Sequence, residues 1–341
     1  MNERQKKKRI IILVIVGILA VISLFFADFI DNSIESLLRE QFNIVSRDGN
    51  LMVHFINVGQ GDAVAINLPN DEVMLIDTGP RESSVTLTNY LYENVLNDSR
   101  DRTIDYMILT HADADHIGGA LRVLENFDVK HIYMPIVESD TDTYLELKSF
   151  VESNDYFIID NIEAIDDDED FSINVFGPFD TTDENDSCPI IKLGYLGRRF
   201  LFMADISTEI EEKLLDADYD IESDVIKIAH HGGNTSSSLD FLLAVSADYS
   251  VISCGENNFG HPTAEVIENI NQSQSKLIRT DIDGNILFEV GAPYEINLLT
   301  TSYTINGSAF RYYYVVIIIE IAIMFNLFIL LIKKDANKKT R

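Results

Sequence analysis

The chain has 341 residues, 46% of them hydrophobic, no tryptophan and a formal net charge of −30. That length suits one sheet-rich domain of roughly 250 residues with further segments, and the apolar content excludes a disordered chain. The acidity argues against an extended nucleic-acid surface, because a polyanion is repelled at long range, and two cysteines, Cys188 and Cys254, are too few for a disulfide scaffold.

Residues 1–9 form a basic tail containing Arg4, Lys6, Lys7, Lys8 and Arg9, and residues 10–27 are an unbroken apolar run. The run is long enough to cross a bilayer, and its basic flank places the N-terminus in the cytoplasm. A cleaved signal peptide is the rival reading, but Phe25-Phe26-Ala27-Asp28 lacks a small-x-small cleavage pattern. Residues 28–50 read as an amphipathic stalk, and a domain of mixed α/β pattern is expected over 51–300. A second apolar run covers 312–332, opening with Tyr312, Tyr313 and Tyr314 and closing on a basic tail, 333–341, that holds Lys333, Lys334, Lys338, Lys339 and Arg341. Both tails are then cytoplasmic, and the domain between the two spans lies outside the cytoplasm, at the cell membrane. Together the tails carry +8, which leaves −38 for the rest of the chain. Glu320 and Asn326 sit inside the second span. Polar groups there predict a helix–helix contact, in a homodimer or with a membrane-protein partner; a merely tolerated Glu320 is the alternative.

Within the domain, Met52 to Asn57, Ala63 to Leu68 and Val73 to Ile76 are predicted strands, separated by Gly59-Gln60-Gly61-Asp62 and Pro69-Asn70-Asp71 turns. Three strand-then-helix patterns follow: Tyr106 to Thr110 before Gly118 to Asn126, Arg199 to Met203 before Thr208 to Ala217, and Val225 to Ala229 before His230. The acid run Asp166 to Asp170 reads as a solvated loop, with calcium binding the lesser alternative.

The strand Tyr106 to Thr110 runs straight into His111-Ala112-Asp113-Ala114-Asp115-His116-Ile117-Gly118-Gly119. Alternating side chains in a strand-to-helix turn can converge on one point, and so many titratable groups would repel or suffer desolvation unless a divalent cation joined them. Asp205 and the pair His230-His231 also follow apolar strands, and His261 stands in Gly260-His261-Pro262. Five of the seven histidines thus fall in these clusters, leaving His54 and His131 outside. Taken singly, Asp205 could be a helix N-cap and His261 a packed turn residue.

These motifs, with Leu75-Ile76-Asp77-Thr78-Gly79 and Arg279-Thr280-Asp281, resemble the metallo-β-lactamase superfamily, and within it the hydrolase domain of ComEC-type competence proteins, from about Leu51 to Phe288. The resemblance implies an αββα metallo-β-lactamase sandwich, here flanked by one N-terminal and one C-terminal transmembrane helix, with two divalent ions, zinc or manganese, at one edge of the sheets. It implies that His111 and Asp113 hold one ion, that Asp115, His116 and His230 hold the other, and that Asp205 bridges them. Asp77 would brace the ligand loop, or else be a structural turn carboxylate, and His231 and His261 would face substrate or support the loops. Asp115, Asp205, His231 and His261 are accordingly the candidate catalytic residues. This chain has Asp113 where the superfamily's commonest motif has histidine, and the third-motif histidine is missing: near its place Asn185 matches the ComEC-type branch but Cys188 does not. Asp186 or Cys188 could complete the first ion's ligands; a small buried cysteine is the plainer reading of Cys188.

The expected function is metal-assisted hydrolysis by an extracytoplasmic phosphodiesterase. Its substrate would be a small-molecule or envelope phosphodiester, with nucleic acid disfavoured by the acidity. The alternatives are a lactone, thioester or β-lactam hydrolase of the same fold, or a metal-stabilised, membrane-anchored binding module.

Overall fold

The computed structural model describes residues 49–96, 102–154, 156–159, 162, 171–179, 181–291 and 295–300. The two apolar runs, the stalk up to residue 48, the Asp166 to Asp170 run, Glu320 and Asn326 lie outside the described residues. No helix among the described residues is long and apolar enough to cross a membrane.

Fourteen described strands form two sheets. The first contains β1 (Leu51–Phe55), β2 (Val64–Asn67), β3 (Val73–Ile76), β4 (Thr103–Ile108), β5 (Asp128–Tyr133), β6 (Phe157–Ile158), β13 (Ile286–Gly291) and β14 (Glu295–Thr300), in the order β14-β13-β1-β2-β3-β4-β5-β6. It is antiparallel from β14 to β3 and parallel from β3 to β6. The second contains β7 (Phe171–Phe176), β8 (Ile190–Tyr195), β9 (Arg198–Phe202), β10 (Val225–Lys227), β11 (Tyr249–Ile252) and β12 (Lys276–Arg279), in the order β12-β11-β10-β9-β8-β7. Here β9 to β12 are parallel and β7 to β9 antiparallel.

The period-two alternation of a strand sends successive side chains to opposite faces, and that sorts the apolar residues into three layers. Phe200 and Phe202 of β9 face between the sheets with Val53, Phe55, Met74, Val251 and Phe288, whereas Leu201 lies beneath the helices outside. Phe55 meets Phe288 at 5.9 Å and Phe202 at 6.0 Å, and Phe200 meets Phe288 at 5.9 Å. Truncating one such ring to alanine would cost about 3–5 kcal/mol. The outer face of the first sheet packs under α1 (Ser84–Tyr90), α2 (Ala114–Ile117), α3 (Ala120–Asn126) and α4 (Asp142–Ser153), through residues such as Leu75, Met107, Leu87, Val123 and Leu147. That of the second packs under α5 (Thr208–Asp216), α6 (Leu239–Val245) and α7 (Ala264–Gln272), through Ile226, Ile228, Ile210, Phe241 and Val266. The result is an αββα sandwich of the kind the resemblance implied.

The parallel strands of each sheet end at the same edge, so the loops after β3, β4, β9 and β10 gather there. They fit closely enough that a β-carbon at Gly119 would collide with the carbonyl oxygen of Thr78, and one at Gly61 with that of Asp115.

Candidate metal centre

Several strands leave their sheet through a left-handed residue that is not glycine. Asp77 follows β3 at φ 57°, Ala204 follows β9 at φ 46°, and His230 (φ 49°, ψ 42°) and His231 (φ 52°, ψ 24°) follow β10. Such backbone costs about 1–3 kcal/mol per residue and persists where the surroundings over-determine it. Here it turns Asp205, His230 and His231 sharply toward the edge where His111 to His116 arrive from the first sheet.

His116 is completely buried, and its Nδ1 lies 2.8 Å from Oδ2 of Asp77. Asp77 also accepts from the backbone N–H and the hydroxyl of Thr110, at 2.9 and 2.8 Å. The hydroxyl oxygen is 3.1 Å from Nδ1 of His111. His231 Nδ1 donates to the carbonyl of Ser253 at 2.9 Å. With their Nδ1 atoms engaged, these three rings direct Nε2 elsewhere. Nε2 of His116 and of His231 approach Oδ2 of Asp205 at 3.4 and 3.5 Å, and Nε2 of His231 is 3.2 Å from Oδ2 of Asp115. Nε2 of His111 is 3.6 Å from Oδ2 of the half-exposed Asp113.

The Nε2 atoms of His111, His116 and His231 are all buried and make no hydrogen bond. Buried polar atoms normally have partners, and three orphaned imidazole nitrogens converging on carboxylates fit divalent cations. Atoms of His111, His116 and Asp205 lie within 4.8 Å of one another, as do those of Asp115, His116 and His231. Charge points the same way. Burial would lower the affinity of His116 for a proton, yet Asp205 and Asp77 outweigh burial and hold it well above its usual range. Burial likewise opposes protonation of His231, and Asp205 and Asp62 lift it to about 10. Asp205 resists the upward push of burial because His231 and His116 hold it well below the ordinary carboxylate range. The carboxylates thus favour positive charge at this point.

Of the residues singled out in the sequence, His111, Asp113, Asp115, His116, Asp205 and His231 are brought together. His230 stands at the rim: its side chain is 29% exposed, Nδ1 is 2.9 Å from Oγ1 of Thr235, and Nε2 is 4.0 Å from Asp205. Between the two adjacent histidines, it is His231 that reaches Asp115. His261 lies further out, its ring 5.3 Å from that of His230. Asp186 spends both oxygens on Ser207, accepting from its N–H at 2.8 Å and its hydroxyl at 3.0 Å. The Cys188 thiol is buried, donates toward the carbonyl of Glu184 and is pushed up by burial and by Asp205, so it is held protonated. Asn185 is half-buried near the same turn.

Sequence reasoning gave no role to two residues, Asp62, which it placed only in the Gly59 to Asp62 motif, and Lys227. Asp62 and Lys227 are both buried and form an ion pair behind Asp205. A lysine inside the apolar strand Val225-Ile226-Lys227-Ile228 was the available signal, since a buried charge requires a partner. With His116 and His231 neutral, as metal ligands are, Asp62, Asp77, Asp113, Asp115 and Asp205 set against Lys227 leave four negative charges in the cluster, which two divalent ions would neutralise.

Residues 56–256 match a model of the metallo-beta-lactamase superfamily. The chain is 26% identical over 277 residues to ComE operon protein 3 of Bacillus subtilis, covering 73% of this chain and 35% of that protein. It is 29% identical over 239 residues to the competence protein ComA of Neisseria gonorrhoeae, covering 69% and 32%. The chain therefore spans about a third of the length of these curated relatives. Among solved structures, the metallo-beta-lactamase fold protein YhfI of Bacillus subtilis aligns at a TM-score of 0.47 with 12% identity, covering 70% of this chain and 99% of that one.

Proposed function

The chain belongs to the metallo-beta-lactamase superfamily, and we propose that it is a metal-dependent phosphodiesterase held at the outer face of a cell membrane by its two apolar runs. The observation that carries the hydrolase reading is the convergence of three buried, unbonded Nε2 atoms, of His111, His116 and His231, on the carboxylates of Asp205, Asp115 and Asp113. In this reading His111 and Asp113 bind one ion, Asp115, His116 and His231 bind the other, and Asp205 serves both. His230, expected from the resemblance as a ligand, stands instead beside His261 at the rim, where substrate would enter.

Divalent ions bound there supply an acidified water and stabilise the charge that develops on a phosphodiester. The protein's part is orientation. Asp77 fixes the ring of His116 by its Nδ1, the Ser253 carbonyl fixes that of His231, and both present Nε2 to the centre. The sheets exclude water from behind, because Asp205, His116 and His231 are all buried, while the partly exposed Asp113, Asp115 and His230 face the solvent side. Two-ion chemistry favours phosphodiesters over lactones or thioesters, and zinc or manganese suits the mixed nitrogen and oxygen ligands.

The test is hydrolysis of bis-(p-nitrophenyl) phosphate by the purified chain with manganese or zinc, with and without a chelator. Chelator-sensitive turnover supports the reading. Turnover of a thioester or lactone but not of the diester replaces the substrate class, and metal binding without any turnover leaves a metal-stabilised binding module.

A further inference from the structure

Lys227 occupies an inner-face position of β10, in register with Phe202 of β9 and Val251 of β11, both apolar core residues. Its side chain is only 2% exposed. Burying an ammonium costs several kcal/mol, and its pairing must be excellent to offset that. An apolar side chain would fit the layer more cheaply, as the neighbouring Phe202 and Val251 do, so the charge needs a reason.

The surroundings of the ammonium supply one. It donates to Oδ2 of Asp62, donates to the carbonyl oxygen of Ala204 at 3.3 Å, and lies 4.0 Å from Oδ1 of Asp205. Oδ1 of Asp205 is buried and makes no hydrogen bond, while Oδ2 of the same carboxylate faces the imidazoles of His116 and His231. Two carboxylates and a carbonyl around one point are the oxygen donors that hard divalent cations take. Atoms of Asp62, Asp205 and His231 also lie within 4.8 Å of one another, as metal ligands do.

We propose that Lys227 is a built-in cation filling a third cation position, formed by Asp62, Asp205 and the Ala204 carbonyl, directly behind the proposed two-ion centre. It reserves Oδ1 of Asp205, so that this carboxylate serves the ions through Oδ2 alone, and it keeps a further divalent ion out. The number two rests on the proposed function; the third position does not.

The experiment compares the full-length chain in detergent with Lys227→Ala and with the double variant Asp62→Asn/Lys227→Ala. Each is stripped with chelator, titrated with Mn2+ alone and desalted, and bound manganese per chain is measured with the thermal midpoint. Lys227→Ala should hold one more tightly bound Mn2+ than the wild type, and Mn2+ should raise its midpoint by more than it raises that of the wild type. The double variant should lose the extra ion, since the position then lacks one carboxylate. Wild-type stoichiometry in Lys227→Ala overturns the proposal. So does a Lys227→Ala chain that stays unfolded in saturating Mn2+, because an ion would then be unable to replace the ammonium. A wild type that binds no manganese would sink the proposed centre, while the one-ion difference between the variants would still read the third position.

Discussion

Asp77 holds His116 through a 2.8 Å contact between Oδ2 and Nδ1, with both side chains buried, and its carboxylate also accepts two bonds from Thr110. One carboxylate thereby fixes the end of β4, the loop that follows it, and the tautomer of a ring at the centre.

Replacing Asp77 by asparagine tests that arrangement. Asparagine tolerates the left-handed backbone and can still accept from Thr110, but its amide would then face the Nδ1–H of His116. Moving the imidazole proton to Nε2 relieves the conflict and blocks that nitrogen as a ligand. Metal affinity should fall roughly 10–100-fold, read by competition with a chromophoric chelator. Unchanged affinity would reduce Asp77 to a turn residue.

Asp205→Asn keeps the shape of the side chain and removes the charge that the proposed centre shares between its two ion positions. Ion content should drop by at least one per chain, and turnover of the diester by roughly a hundredfold or more. Full occupancy with near-normal turnover would remove Asp205 from the centre.

Metal uptake should release protons. His116 is held well above its usual range and His231 at about 10, chiefly by Asp205 against the effect of burial, so without metal both rings favour the doubly protonated form at neutral pH, and an ion bound through Nε2 would displace one proton from each. Binding at pH 7.5 should therefore release about two protons, and apparent affinity should rise with pH, by up to roughly a hundredfold per unit below the range where His231 titrates. Calorimetry in buffers of different ionisation enthalpy counts the protons; a count near zero contradicts the assignment of these rings.

Away from the centre, His54 predicts an acid-sensitive fold. It is buried, and burial, only partly countered by Asn67, lowers it to about 4. The Nδ2 of Asn67 donates to the carbonyl of Val95, so its Oδ1 accepts from Nε2–H of His54, and the Tyr90 hydroxyl donates to Nδ1. The folded state thus keeps the ring neutral where the unfolded chain protonates it. Stability is whole above pH 6.5, falls as pH drops and has lost about 3 kcal/mol by pH 4. Denaturant titrations of wild type and His54→Gln across that interval should differ in slope by this amount, with the variant flatter.

The membrane topology is tested on intact cells. With both basic tails in the cytoplasm, added protease should digest the acidic domain without lysis. Protection until lysis would reverse the orientation.

Much of the scaffold was legible in the sequence, because the strand Val73–Ile76 and the apolar half of Arg198–Phe202 each run into a polar cluster, which marks the element; the second strand starts and ends one residue earlier than the Arg199 to Met203 expected. The His111 to His116 cluster was legible for the same reason: ligand-type residues crowd one strand end. Which of His230 and His231 turns inward was not, because the resemblance aligns the pair without its backbone, and both residues take a left-handed conformation that sequence does not announce. Asp62 and Lys227 were hidden differently. They lie 165 positions apart, and only the packing of one sheet on the other makes them a pair.

The cluster draws Asp62, Asp77 and His111 to His116 from the first sheet's loops and Asp205 and His231 from the second's. During synthesis the first group leaves the ribosome long before the second, without the Asp205 carboxylate on which the His116 and His231 rings converge. Loading of the proposed centre would therefore wait for the second sheet to dock, and a tightly held ion would mark a chain whose two sheets have come together.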